Sequence, residues 1–304
     1  MNEALAAFVA RELDGVVRPE IAWAARMLGE QLGGVAVLFY GSVLRTGDLD
    51  GVLDFYVLTP RALGSPLRPL GLRWLWPDVS FHEIGLDGRT LRAKVATMPL
   101  ATFARASRGD LLDTTIWARF VQPAALVWHA DAAVRAPIVR AVADAAVTAA
   151  RFAAALGPSS GTALDYWAAL FRQTYRAELR VEAPGRERAI LDVAPERYAT
   201  LLPLAWQAGG IAFAREGGTL TPDIGAAERR RLLRSWASRA RAGKPLNVAR
   251  LVKAAFTFQG AARYGLWKVE RHTGIALPLT PFRERHPVLA APAVFWRVLR
   301  ARRP

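Results

Sequence analysis

Two short features of the sequence carry residue types used in phosphate and metal chemistry. Gly41-Ser42 ends one hydrophobic run, and Asp54 lies inside the next, VLDFYVL (52–58). Glycine lets the backbone approach a phosphate oxygen, and serine adds a hydroxyl and an amide donor at a helix start. A carboxylate within a strand is costly unless it is paired, and Mg²⁺ on a nucleotide triphosphate would be a suitable partner. A plain turn between two strands gives the same pattern, so both interpretations stay open.

The flanking sequence predicts the elements that would position these residues. β-Rich runs cover 35–40, 52–58, 79–84 and 91–97, and the last two are joined by the turn Leu86-Asp87-Gly88-Arg89. Helical periodicity covers 3–33, 100–108, 111–120, 131–156 and most of 162–204. We therefore predict an α+β fold, a mixed sheet with helices, followed by a mostly helical C-terminal region.

The positive charge of the chain is concentrated in its C-terminal quarter. The net charge is +15, and we count 18 Lys+Arg against 3 Asp+Glu from Ala226 to the end, which accounts for the whole surplus. A surplus at one end indicates a polyanionic partner, either nucleic acid or an anionic membrane. We predict three parts: an α+β part (1–130), a helical part (131–225) and a basic amphipathic, membrane-associating region (226–304).

Several classes of protein are excluded or disfavoured. The chain has no cysteine, which excludes a disulfide scaffold, a thiolate metal site and cysteine catalysis. Its four histidines are scattered singly, without the spacing of a zinc site. The longest uncharged stretch, Tyr198–Ala214, contains Pro203 and falls short of the ~18–20 apolar residues that a spanning helix needs. We expect a cytoplasmic protein, soluble or peripheral to the inner face of a membrane.

The strand, Gly-Ser turn, loop and strand resemble the start of the nucleotidyltransferases. That superfamily commonly has a second carboxylate two residues after the first, where this chain has Tyr56. Asp48 and Asp50 precede the strand and are interpreted as turn formers. Glu83, on a later predicted strand, is the candidate for the missing second ligand.

A narrower resemblance removes the anomaly at Tyr56. FYGSVLRTGDLDGVLDFYVL (39–58) resembles the opening of the mitochondrial-type phosphatidate cytidylyltransferases, the translocator assembly and maintenance family, whose Tyr-Gly-Ser turn precedes Leu-Asp-Phe without a second acid. Three further segments resemble the family in order: LDGRTLRAKVATMPLATFARAS (86–107), DTTIWARFVQPAALVW (113–128) and TYRAELRVEAPGRERAI (174–190). They place the family's strand lysine at Lys94 and its arginine at Arg176. Val43 and Gln122 depart from the family pattern.

The resemblance implies a nucleotidyltransferase-like catalytic domain over 1–130 and a helical, winged-helix-like domain over 131–225. It also implies a reaction and assigns roles to residues. CTP and phosphatidate would give CDP-diacylglycerol and pyrophosphate, with Mg²⁺ as the cofactor. Asp54 would hold the metal, with Glu83 as second ligand, and Lys94 would stabilise phosphate charge. Gly41, Ser42, Arg45 and Arg176 would bind the nucleotide. The structural alternative for Lys94 is a lysine that extends from the strand surface into solvent. For Arg45 and Arg176 the alternative is a solvated surface arginine.

The basic end reads as an interfacial helix. Within 247–271, apolar residues from Val248 to Val269 form one stripe of a helical wheel, with basic residues opposite. This composition is typical of a helix lying on an anionic membrane, and the family's C-terminus carries a similar basic stretch associated with membrane attachment. The predicted membrane-binding residues are Arg250, Lys253, Phe256, Trp267, Lys268 and Arg271. An ordinary helix that buries its stripe in the core is the alternative.

Two other functions remain open at this stage. One is a nucleotidyltransferase acting on RNA or a small molecule, since phosphate contacts would also explain the basic end. The other is a non-catalytic membrane-binding scaffold. The segments that resemble the lipid enzymes favour CTP, phosphatidate and an anionic membrane surface as partners and disfavour nucleic acid. The sequence does not indicate an oligomeric state.

Overall fold

The computed structural model describes residues 2–61, 75–178, 186–285, 289–290 and 296. The helices are α1 (Glu3–Leu13), α2 (Pro19–Gln31), α3 (Ser42–Thr46), α4 (Leu100–Ser107), α5 (Thr115–Phe120), α6 (Arg135–Leu156), α7 (Ala163–Ala177), α8 (Arg186–Leu191), α9 (Pro195–Ala208), α10 (Ala226–Thr257), α11 (Ala261–Thr273) and α12 (Pro281–Arg285). The strands are β1 (Ala36–Tyr40), β2 (Val52–Thr59), β3 (Asp78–Leu86), β4 (Arg89–Pro99), β5 (Ala124–His129), β6 (Ala212–Glu216) and β7 (Thr219–Asp223). The predicted α+β class with a mixed sheet and a helical C-terminal region is confirmed.

Local sequence explains several element boundaries. Pro19 begins α2, so the helical stretch predicted over 3–33 is two helices. Asp87 and Gly88 both have positive φ, 49° and 74°, which suits a two-residue hairpin between β3 and β4. Thr162 and Asp165 form a reciprocal capping box at the start of α7.

The central sheet has the strand order β3-β4-β2-β1-β5. β2 and β4 are parallel, and the other neighbouring strands are antiparallel. The register aligns one residue from each strand directly across the sheet, in a set that we call the central row: Phe81, Lys94, Asp54, Tyr40 and Ala124. Because directly paired residues project to the same face, these side chains share one face.

Helices cover both faces of the sheet. On one face, α2 places Ile21 and Leu28 against Phe39 and Phe55 of the sheet. The other face carries the larger core, in which the alanine-rich helix α6 is central and Trp117, Trp167, Trp206 and Trp236 are buried. This core extends from Leu5 to Trp236 and so includes residues from all three predicted parts of the chain. The division at 130 and 225 stays a prediction.

The segment 131–225, which was predicted to be helical, ends in the hairpin β6–β7. The segment after Pro123, in the predicted α+β part, forms the edge strand β5. The stretch 247–271 is also not one helix, because α10 ends at Thr257 and α11 begins only at Ala261, after the capping residue Gly260, which has φ of 79°. Within the described ranges, none of the helices combines the length and apolarity needed to span a bilayer.

Candidate active site

The Gly-Ser turn and the strand carboxylate lie in direct contact. β1 ends at Tyr40, and Gly41 adopts φ 93° and ψ −161° before α3 begins at Ser42. A Cβ atom added to Gly41 would lie 2.6 Å from Oδ2 of Asp54. Glycine is required here for two reasons, since this backbone region is essentially closed to other residues and a side chain would displace the carboxylate. The Gly41-Ser42 turn and Asp54 therefore form one small site, which we call the Gly41 cradle.

The Asp54 carboxylate lies among cationic side chains. Burial raises the pKa of Asp54, while Lys94, Arg119, Lys268 and Arg45, in decreasing order, act to lower it. Lys94 is the direct neighbour of Asp54 in the central row. One partly buried carboxylate among four cations leaves the local charge positive, which suits a polyphosphate ligand.

Arg119 is a site residue that the sequence interpretation did not select. It lies at the end of α5, and its guanidinium carbon is 4.8 Å from the ring centroid of Tyr40. Its Nε is buried and has no hydrogen-bond partner among the described residues. Tyr40 and Tyr56 pack together beneath it, with ring centroids 5.4 Å apart. A guanidinium whose charge acts on Asp54 and whose Nε lacks a partner has the chemistry to bind a phosphate. Arg119 stood inside a segment quoted for the resemblance, but its distance from Asp54 along the chain hid the proximity.

The structure does not place Glu83 beside Asp54. Glu83 is two strands and two residues away, about 12 Å between Cα atoms from ordinary sheet spacings. Its carboxylate instead lies 3.7 Å from both Arg92 and Arg263. The described residues contain no group of three or more His, Asp or Glu that could hold a metal.

Mg²⁺ fits this site only when it binds together with nucleotide phosphates. Asp54 offers one carboxylate at the Gly41 cradle, and Mg²⁺ accepts one or two carboxylates when phosphate oxygens supply other ligands. The surrounding cations disfavour a bare metal ion. Asp54 would therefore hold the metal together with nucleotide phosphates.

The other predicted nucleotide-binding residues occupy different positions. Ser42 is exposed at the first position of α3, and Arg45 is exposed in the same short helix, close enough to act on Asp54. Arg176 is exposed in the last turn of α7 and is not among the cations that act on Asp54. The structure thus brings Gly41, Ser42 and Arg45 to the site, and gives no such support for Arg176.

Two of the predicted membrane-binding cations point into the protein. Arg250 forms an ion pair with Asp113 at 2.9 Å, and Lys253, only 4% exposed, pairs with Asp78 and donates a hydrogen bond to the carbonyl of Leu75. The outer surface of α10 instead presents Val248, Leu251 and Val252, each about half exposed or more. The predicted orientation is corrected: basic residues anchor the helix to the protein, and part of the apolar stripe faces outward.

Three of the remaining predicted membrane-binding residues lie on α11: Trp267, Lys268 and Arg271. Trp267 is flanked by Arg92 and Arg271, whose guanidinium carbons lie 5.6 Å and 5.2 Å from its rings. Lys268 lies over the ring of Tyr264 at 4.7 Å. Of these residues, Trp267 contacts the sheet through Arg92 of β4, whereas Lys268 and Arg271 are exposed. The side chain of Phe256 lies outside the described residues.

Comparison of the chain with protein-family models finds no match, and comparison with the curated proteins finds none either. The resemblance to the lipid cytidylyltransferases therefore stays a prediction that rests on the quoted motifs.

Proposed function

We propose that the protein is a Mg²⁺-dependent nucleotidyltransferase that transfers CMP from CTP to phosphatidate. The observation that carries the transferase class is the contact between Gly41 and Asp54 inside a cluster of cations. The choice of CTP and phosphatidate rests on the motif resemblance. In this proposal Asp54 serves the metal, and Lys94, Arg119 and Arg45 serve the phosphates.

The chemistry needs positioning and charge neutralisation more than it needs a base. An oxygen of the phosphatidate phosphate forms a bond to the α-phosphorus of CTP. The bond between that phosphorus and the oxygen that bridges the α- and β-phosphates breaks, and pyrophosphate leaves with the electron pair. The nucleophile is already largely anionic at about pH 7, because a phosphomonoester has a second pKa of about 6. Mg²⁺, when bound with the nucleotide, would neutralise charge that develops on the phosphates. Lys94 and Arg119 would act in the same direction from fixed positions.

The outer surface of α10 supports a lipid acceptor. Val248, Leu251 and Val252 expose apolar surface near the exposed cations Arg241 and Lys244 of the same helix. Apolar side chains flanked by basic residues suit the boundary between anionic headgroups and acyl chains. The proposed location is therefore peripheral, at a membrane surface on the cytoplasmic side.

The direct test is an assay with CTP labelled in its α-phosphate, Mg²⁺ and vesicles that contain phosphatidate. We expect label to enter the lipid fraction with release of one pyrophosphate per product, and Asp54→Ala to abolish both. Consumption of another nucleotide with CTP left intact would refute the proposed substrate. Retention of RNA in a gel-shift assay, without sedimentation on anionic vesicles, would favour the RNA-directed alternative.

A further inference from the structure

The helix α11 forms one side of the Asp54 site. The amide N–H of Phe81 donates a hydrogen bond of 2.8 Å to the carbonyl of Gln259, which brings the start of α11 to the free edge of β3. Gly260 permits this approach, because a Cβ there would lie 2.5 Å from the carbonyl oxygen of Phe81. The ring of Tyr264 then packs on the ring of Phe81 at 5.1 Å.

This packing brings Lys268 toward the central row. Lys268 follows Tyr264 by one helical turn and holds its ammonium over the Tyr264 ring at 4.7 Å. Phe81, which supports Tyr264, is in the same row as Lys94 and Asp54. Lys268 is exposed, and the structure gives it no carboxylate partner among the described ion pairs. Its charge nevertheless acts on the Asp54 carboxylate.

The two sides of Asp54 differ in a way that suits an in-line reaction. The Gly41-Ser42 turn and Arg45 lie toward β1, whereas Lys94, Phe81 and α11 lie toward β4 and β3. In-line transfer places the attacking and leaving oxygens on opposite sides of the phosphorus. A triphosphate held over the turn would therefore direct its pyrophosphate toward β1 and leave the α11 side for the incoming acceptor.

We infer that Lys268 binds the acceptor, an anionic phosphomonoester, on the α11 side of the site, and that Tyr264 positions it. This inference rests on the proposed function and adds the residue that recognises the second substrate. Lys268 was predicted to meet membrane headgroups, and its position against Tyr264 and near Asp54 gives it a role inside the site. The same lysine would serve a lipid phosphate in a vesicle or a dissolved phosphomonoester.

The test separates acceptor binding from nucleotide binding and from membrane binding. Steady-state kinetics of Lys268→Ala would be measured with phosphatidate in phosphatidylcholine vesicles and with a short-chain, water-soluble phosphatidate. We expect the KM for both acceptors to rise about tenfold to hundredfold, as for loss of a hydrogen bond to a charged group. The KM for CTP should stay within about twofold, and Lys268→Arg should recover part of the acceptor affinity.

Arg263→Ala is the matched control, since it removes one positive charge from the same helix at a residue bound by Glu284 and Glu83. It should leave the acceptor KM unchanged. An equal rise in the KM for CTP, or an effect confined to vesicles, would overturn the assignment of Lys268 while leaving the proposed function intact. A wild-type protein that is inactive on both acceptors would overturn the proposed function and this inference together.

Discussion

Replacing Gly41 by alanine tests the central contact of the site most directly. The backbone of Gly41, at φ 93° and ψ −161°, lies in a region that is essentially restricted to glycine, so alanine should destabilise the fold by about 1–3 kcal/mol. The new Cβ would lie 2.6 Å from Oδ2 of Asp54, and separations under 3.0 Å do not persist. The carboxylate must therefore withdraw by 0.4 Å or more, and by 0.8 Å to reach the ordinary range that begins at 3.4 Å.

This displacement sets the expected loss of activity. A misplacement of about 1 Å at a reacting group costs about a hundredfold in rate, so we expect Gly41→Ala to lower kcat/KM for CTP by about tenfold to hundredfold. The assay is incorporation of labelled CMP into lipid at a temperature where the variant is folded. The unfolding free energy, from denaturant titration, reports the backbone strain separately.

Gly47→Ala provides a matched control. Gly47 also has positive φ, 69°, and ends the same short helix, but nothing lies within 4 Å of an added Cβ. This variant should lose about 1 kcal/mol of stability and keep its activity. If both variants lose activity by the same factor, or if Gly41→Ala is fully active, the contact with Asp54 has no role in the reaction and the argument for the site fails.

Three further predictions concern charged side chains at the site and on α10. Because burial raises the pKa of Asp54 in the folded protein, ionising this carboxyl costs stability as pH rises from the ordinary Asp pKa to the raised one, and the full cost remains above it. Asp54→Asn, although expected to be inactive, should therefore unfold at higher denaturant than wild type at about pH 8 and lose this advantage below about pH 4. An advantage independent of pH would contradict the argument. Lys253→Ala should lower the free energy of unfolding by about 2–4 kcal/mol, because it breaks a buried ion pair with Asp78, and should leave vesicle binding unchanged. Weaker sedimentation on vesicles with unchanged stability would instead support the predicted contact of Lys253 with lipid headgroups. Calorimetry should detect Mg²⁺ binding only with CTP present, since cations surround Asp54; tight binding of Mg²⁺ alone would contradict this.

The parts of the site that could be predicted from sequence are close together in the chain. Gly41-Ser42 directly follows β1 and Asp54 lies in β2, the next strand, so their proximity follows from one antiparallel pairing. The hairpin at Asp87-Gly88 was also predictable, because its residues adopt the positive φ that such turns require. Local pattern and turn chemistry were sufficient for these features.

The parts that could not be predicted depend on register and long-range packing. Glu83 is on a predicted strand, but β4 lies between β3 and β2, and only the register shows the separation from Asp54. Arg119 reaches the site through the packing of α5, which no local pattern encodes. The helical wheel over 247–271 assumed a continuous helix, and the break before Gly260 changes which residues face the protein.

The hydrogen bond between Phe81 and Gln259 has a practical consequence for experiments on the C-terminal region. Exposed strand edges promote aggregation, and this linker shields part of the outer edge of β3. A protein shortened before Gln259 would lose that shield together with α11 and the lysine proposed to bind the acceptor, while α10 and its exposed apolar residues would remain. Single substitutions on intact chains are therefore the informative way to separate solubility, turnover and vesicle attachment.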